Sequence, residues 1–223
     1  MTYTGLYTTL FAAPDMKEAQ RFYSDWGLRK IKGSPSHSVF ETKNGSRVEL
    51  KTPNSTDLPP PAAPDMHFRE MVWGVSSKSH LRTIKLELSK DREVLEDKDG
   101  TIHCLDPNGI GLGFRVWRPR VNIAGARTKI NSYDKVERID EISTFYGEAR
   151  PIRMGHIGFV LPDLKSAEKF YRDRLGFWLS DRYAGGAAIF LRCAAKSQHH
   201  NLFMIWSADG NKRYHHTALE GRD

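Results

Sequence analysis

"YTTLFAAPDMKEAQRFYSDWGL", residues 7–28, and "GHIGFVLPDLKSAEKFYRDRLGF", residues 155–177, are two copies of one pattern. Aligned without a gap, Pro14-Asp15 falls on Pro162-Asp163, Ala19 on Ala167, Phe22-Tyr23 on Phe170-Tyr171 and Asp25 on Asp173. One residue is then missing from the first copy, so that Gly27 answers Gly176. Self-similarity over this span marks an internal repeat, and the repeat decides the fold.

Each copy reads as a strand, a helix and a run of strands. In the second, "HIGFVL" is an apolar strand and Asp163 is a helix N-cap. "LKSAEKFYRDRL" then sets Leu164, Ala167, Phe170, Tyr171 and Leu175 on one face before Gly176 ends the helix. "FWLSDRY", "AAIFLRCA" and "HNLFMIWS" follow as strands, making a βαβββ unit. The first copy repeats this order, with "SHSVFET" and "SRVELKT" joined across Asn44-Gly45. Beyond the Pro-rich "PNSTDLPPPAAPD" lies a weaker example: strand "REMVWGV", helix "SKSHLRTIKLELSK", and strands around "TIHCLD" and "GLGFRVW" across "DPNG".

The expected architecture is therefore α+β, built of tandem βαβββ modules. Residues 1–119 form an N-terminal pair, 120–150 a polar connector, and 151–223 a C-terminal half with one module and the first strand of another.

Composition fits a globular chain. Of 223 residues, 39% are hydrophobic and 27% charged, enough to bury a substantial core. No apolar run approaches the length of a membrane span and no secretory signal pattern opens the chain, so the expectation is a cytoplasmic protein without membrane contact. The net charge of +7 is spread among nearly as many acids and forms no basic block with aromatics, which argues against a nucleic-acid partner. Cys104 and Cys193 are far apart and read as buried thiols.

Histidines carry the chemistry. His156 opens the strand of the third module and His216 the strand of the fourth, each seven residues ahead of an aspartate, Asp163 and Asp223. Equivalent strand starts in paired modules converge, and two neutral imidazoles suit a divalent first-row metal; an oxygen-using iron site adds one carboxylate. Glu220 does not fit that role. Four residues along the strand from His216, its Cα lies about 13 Å away, whereas donors to one metal stand within about 4.4 Å of each other. His199 and His200 open the strand "HNLFMIW", and His200 is the better candidate to hydrogen-bond a reacting oxygen and move a proton. His37, His67, His80 and His103 share no such register and read as surface or turn residues. In the first half Thr8 stands where His156 does, and Gly113 stands where Glu49 offers an inward carboxylate, so that half is expected to be metal-free.

The stretches "GHIGFVLPDLKSAEKFYRDRLGFWLSD", "FLRCAAKSQHHNLFMIW" and "KRYHHTALEGRD", in this order, resemble the type I extradiol ring-cleaving dioxygenases of the vicinal-oxygen-chelate superfamily, in particular the 2,3-dihydroxybiphenyl 1,2-dioxygenases. The resemblance implies that His156 and His216 ligate a mononuclear Fe(II), with Mn(II) as the other metal such a site takes. It further implies that His200 is the acid/base, that His200 and Phe190 contact the substrate, and that the reaction cleaves a catechol-type ring with O2. A homo-oligomer is the expected assembly. The family's third ligand is a glutamate several dozen residues past the second histidine, so the resemblance expects it beyond Asp223, in a longer enzyme. Two other functions fit the same module: a non-catalytic relative binding a small aromatic or hydrophobic ligand, and a glyoxalase-like or thiol-transferring enzyme with another divalent metal.

Overall fold

The computed structural model describes residues 2–120, 129, 131–140, 142 and 147–221. Part of the polar stretch read as a connector, residues 121–128, 130, 141 and 143–146, lies outside the described residues, as do Arg222 and Asp223.

The first module runs β1 (Tyr3–Ala12), α1 (Met16–Asp25), β2 (Arg29–Gly33), β3 (His37–Glu41) and β4 (Arg47–Lys51). The second runs β5 (Phe68–Val75), α2 (Lys78–Leu88), β6 (Leu95–Glu96), β7 (Ile102–Leu105) and β8 (Gly111–Val116). The third comprises β9 (Arg153–Leu161), α3 (Leu164–Lys169), β10 (Trp178–Arg182), β11 (Ala188–Arg192) and β12 (Leu202–Trp206), and β13 (Arg213–Glu220) follows. The fold is the α+β arrangement of tandem βαβββ modules that the repeat implied.

Asp15, Ser77 and Asp163 cap the three helices, their side chains accepting from the backbone N–H of Glu18, His80 and Ser166. Each such cap contributes about 1 kcal/mol. The third helix departs from the expected 164–175 α-helix. It is α-helical only to Lys169 and continues as a π turn over Phe170–Arg174, with Leu175 N–H bonding the Phe170 carbonyl at 3.3 Å. The wider turn lets the consecutive rings of Phe170 and Tyr171 both face the core, at 3% and 0% exposure.

Pairing follows one rule in each module. The first strand runs parallel to the last (β1 with β4, β5 with β8, β9 with β12) and antiparallel to the first strand of the next module (β1 with β5, β9 with β13). The outcome is an eight-stranded sheet ordered β2-β3-β4-β1-β5-β8-β7-β6 and a five-stranded sheet ordered β10-β11-β12-β9-β13. Apolar side chains on the helix-covered faces fill the core: Met71, Trp73, Leu112 and Phe114 in the first sheet, and Ile157, Phe159, Leu191 and Leu202 in the second, are all 0–1% exposed.

The two sheets pack on each other through aromatic and polar contacts. Tyr3 donates to the Leu175 carbonyl at 2.8 Å, Trp73 meets Phe177 edge-on at 5.1 Å, and Tyr214 stacks on Phe68 at 5.3 Å. At the junction Asp106, fully buried in the "DPNG" turn, accepts from Tyr171 at 3.1 Å and from the N–H groups of Asn108 and Ile110. Burial pushes its carboxyl up to about 6.

Candidate metal centre

The β9/β13 pairing places the two histidine-bearing strands side by side. His216 pairs with Gly158 and Ala218 with His156, with a bulge between Tyr214 and His216. Gly158 leaves the space above its Cα to the imidazole: a Cβ there would stand 2.9 Å from His216 Cε1. The rings meet edge to face at 4.8 Å, and their Nε2 atoms are 2.7 Å apart.

That separation is the test of whether a metal fits. Two nitrogens bound side by side to one ion at about 2.1 Å stand about 3.0 Å apart, within a few tenths of an ångström of the observed value. Protonation favours the same conclusion. His156 is pushed down to about 4, first by burial and then by His200 and His216, and burial also lowers His216, helped by His215. Both rings are therefore neutral at pH 7, the form that ligates. His216 Nδ1 is 2.6 Å from His215 Nδ1, which fixes the ring through its other nitrogen. Among the described residues no group of three His, Cys, Asp or Glu is placed to hold an ion. Glu220 is drawn away from the pair: its register partner is Arg153, whose Nε donates to it at 2.6 Å.

His200 lies against His156, ring centres 4.2 Å apart, and against Phe190 at 5.1 Å. Its pKa is lowered by burial, then by His199 and His216. The expected start of its strand is corrected: β12 begins at Leu202, and His199 and His200 belong to the loop before it. The loop is held by Asn201, a residue the sequence reading passed over. Asn201 Oδ1 accepts from Cys193 N–H and Ser197 Oγ, and its Nδ2 donates to the Gly155 carbonyl at 3.1 Å. A polar residue ahead of an apolar strand was the available signal.

Phe190 stacks on Phe203 at 4.6 Å, and Phe203 pairs in turn with Gly158. One row of the sheet therefore runs Phe190, Phe203, Gly158, His216, so the aromatic pair and the histidines share a face.

The first half carries a different set at equivalent places. Thr8, where His156 stands in the third module, is buried and pairs with Val72. Leu10 pairs with Glu70 as Gly158 does with His216, so Glu70 occupies the second histidine's place. His103 Nδ1 lies 2.8 Å from Glu70, and a Cβ on Gly113 would stand 3.3 Å from the same carboxylate. His103 and His37 are thus not free surface or turn residues. They sit half-buried on β7 and β3, the latter 2.7 Å from Glu49. Hydrophobic periodicity carries no information about such inward-facing charge pairs.

Residues 153–223 match the profile of the family described as the Glyoxalase/Bleomycin resistance protein/Dioxygenase superfamily. The catechol-2,3-dioxygenase of Bacillus subtilis (strain 168) is 31% identical over 116 residues, 48% of this chain and 39% of that protein. Among solved structures, BphC, a halotolerant catechol dioxygenase, superposes with TM-score 0.68 at 19% identity, over 99% of this chain and 70% of the other. Homoprotocatechuate 2,3-dioxygenase from Brevibacterium fuscum (E323L mutant) gives 0.70 at 18%, over 98% and 57%. The Mn(II)-bound glyoxalase from Novosphingobium aromaticivorans gives 0.64 at 18%, over 98% and 64%. At these identities the structural likeness concerns the fold, and the chain spans well under two thirds of the curated relative's length. No helix among the described residues is long and apolar enough to cross a membrane.

Proposed function

We propose that this chain, whose residues 153–223 form a domain of the glyoxalase/bleomycin resistance protein/dioxygenase superfamily, acts as an extradiol dioxygenase that opens a catechol-type ring with O2 at a mononuclear Fe(II) site. The observation that carries the reading is the 2.7 Å approach of His156 Nε2 and His216 Nε2, with His200 packed against the pair. The likeness to a catechol-2,3-dioxygenase supports it.

In this reading His156 and His216 would hold the iron, which would supply Lewis-acid and redox activation of the diol and of O2. His200, neutral at pH 7 through burial, accepts a proton from a ring hydroxyl and returns it to an oxygen of the reacting group. Phe190 and Phe203 present an apolar face to the ring and exclude water from it. The N-terminal half, with Thr8 and Glu70 at the ligand positions, acts as a metal-free copy that braces the C-terminal sheet. The third donor is a carboxylate from outside the described residues.

Anaerobic Fe(II) loading, followed by oxygen uptake and the yellow ring-fission colour with a panel of catechols, tests the proposal. Uptake coupled to colour is the expected result. Iron bound without turnover of any catechol overturns it. The missing carboxylate among the described residues favours one other reading, a protein that binds an aromatic ligand without catalysis. Such a protein retains little iron and consumes no oxygen.

A further inference from the structure

Arg192 lies on the same sheet face as the histidines, one row beyond Phe190. It pairs with Trp178 across β10, while the next residues inward, Asn201 and Gly155, connect β12 to the strand of His156. Counting alternation from Phe190, which shares its row with Phe203, Gly158 and His216, puts Arg192 and His156 on one face. At strand spacing their Cα atoms are about 10 Å apart, a gap that one substituted benzene ring and an arginine side chain span together.

The guanidinium is half-buried and has no carboxylate. Its Nη1 donates to Ser180 Oγ at 2.8 Å, its carbon lies 5.8 Å from the Trp178 ring centre, and its Nε is buried without a hydrogen-bond partner. Among the described residues it forms no ion pair. The acid on this face, Asp181, is largely exposed and points to His199 Nε2 at 3.8 Å. A cation taken out of water without a counter-charge is costly, and a guanidinium fork held by a hydroxyl and an aromatic plane is pre-set for a carboxylate.

We infer that Arg192 reads an anionic substituent on the ring, so that the substrate is a catechol bearing a carboxylate-terminated side chain rather than a neutral alkyl- or aryl-catechol. The inference rests on the aromatic-ring reading of the site given above. Trp178 flanks the substituent and Ser180 fixes the fork. A guanidinium that only ties β10 to β11 has no reason to distinguish anionic from neutral rings.

The test measures discrimination, with and without metal. In the metal-free full chain, calorimetry compares 4-hydroxyphenylacetate with p-cresol; in the Fe(II)-loaded chain, oxygen uptake compares 3,4-dihydroxyphenylacetate with 4-methylcatechol. The expected result is at least a tenfold preference for the anion in both arms, falling to near one in Arg192→Met and recovering in part in Arg192→Lys. Arg192→Glu should reverse the preference toward 4-(2-aminoethyl)catechol, which separates loss of charge from loss of fold. Equal handling of the two rings by the unaltered protein, or a preference that survives Arg192→Met, overturns the inference while leaving ring cleavage intact. Anion preference in the metal-free arm with no oxygen uptake keeps Arg192 and overturns the dioxygenase. Absence of binding and uptake alike overturns both.

Discussion

Gly158 lies directly beneath the His216 ring, so closely that a Cβ there would stand 2.9 Å from Cε1 and 3.0 Å from Nδ1. The side-chain-free position lets the imidazole lie across β9 and bring its Nε2 to His156. Gly158 is outside the positive-φ set, so the constraint is space and not backbone conformation. Gly158→Ala should fold normally and lower divalent-metal affinity by about tenfold or more, as changes behind a ligand typically do. Metal titration beside a thermal melt checks this; an unchanged affinity means that Gly158 does not set the His216 position.

His200 has a different expected signature from the two proposed ligands. His200→Gln should retain iron and lose about 10²–10⁴-fold in turnover, the range of a general acid/base. His156→Ala and His216→Ala should each lose the iron. Parallel iron analysis and oxygen uptake separate the two classes, and iron loss in His200→Gln would move that residue into the ligand set.

Asp106 links the two halves through Tyr171 and should make stability fall between acid and neutral pH. Burial raises its folded-state value to about 6 from an ordinary 3.8, so the native state holds the proton more tightly than the unfolded chain. Its stabilising share is complete below about pH 3.8 and is lost as pH rises through about 6. Linkage sets the difference at no more than about 3 kcal/mol. Asp106→Asn, which cannot ionise, should flatten this part of the profile in urea melts from pH 4 to 8. A profile with the same slope in the variant would remove Asp106 as its source.

His103 contributes in the same direction over a higher window. Burial alone lowers its pKa, but Glu70 and Asp97 outweigh it and the net shift is upward. A histidine whose folded value is raised stabilises fully below its unfolded value, about 6.5, and loses that contribution as pH climbs past the folded one. His103→Gln should therefore lower the melting midpoint at pH 6 more than at pH 8.5. An equal loss at both values would assign the effect to packing.

The sequence by itself determined the modules, the helices and the ligand candidates. The Pro-Asp repeat gave matching strand starts and N-caps because capping and apolar periodicity are local, set by residues within one or two turns. Two histidines at equivalent strand positions could thus be matched from spacing alone, although each is the fourth residue of its strand, β9 or β13, and not its start as the spacing suggested. What only the tertiary structure decided depends on which strands lie side by side. The π turn at 170–174 exists because two consecutive rings both needed the core. The loop before β12 is shaped by Asn201 bonding across to Gly155, 46 residues away. Glu70 is a buried charge and His103 and Arg192 are half-buried ones on sheet faces, and a strand pattern does not record what lies across the sheet from a charged side chain. Cross-strand register places His156 and His216 together and leaves Arg192 without a counter-charge, because it is fixed by the packing of whole modules and not by any one segment.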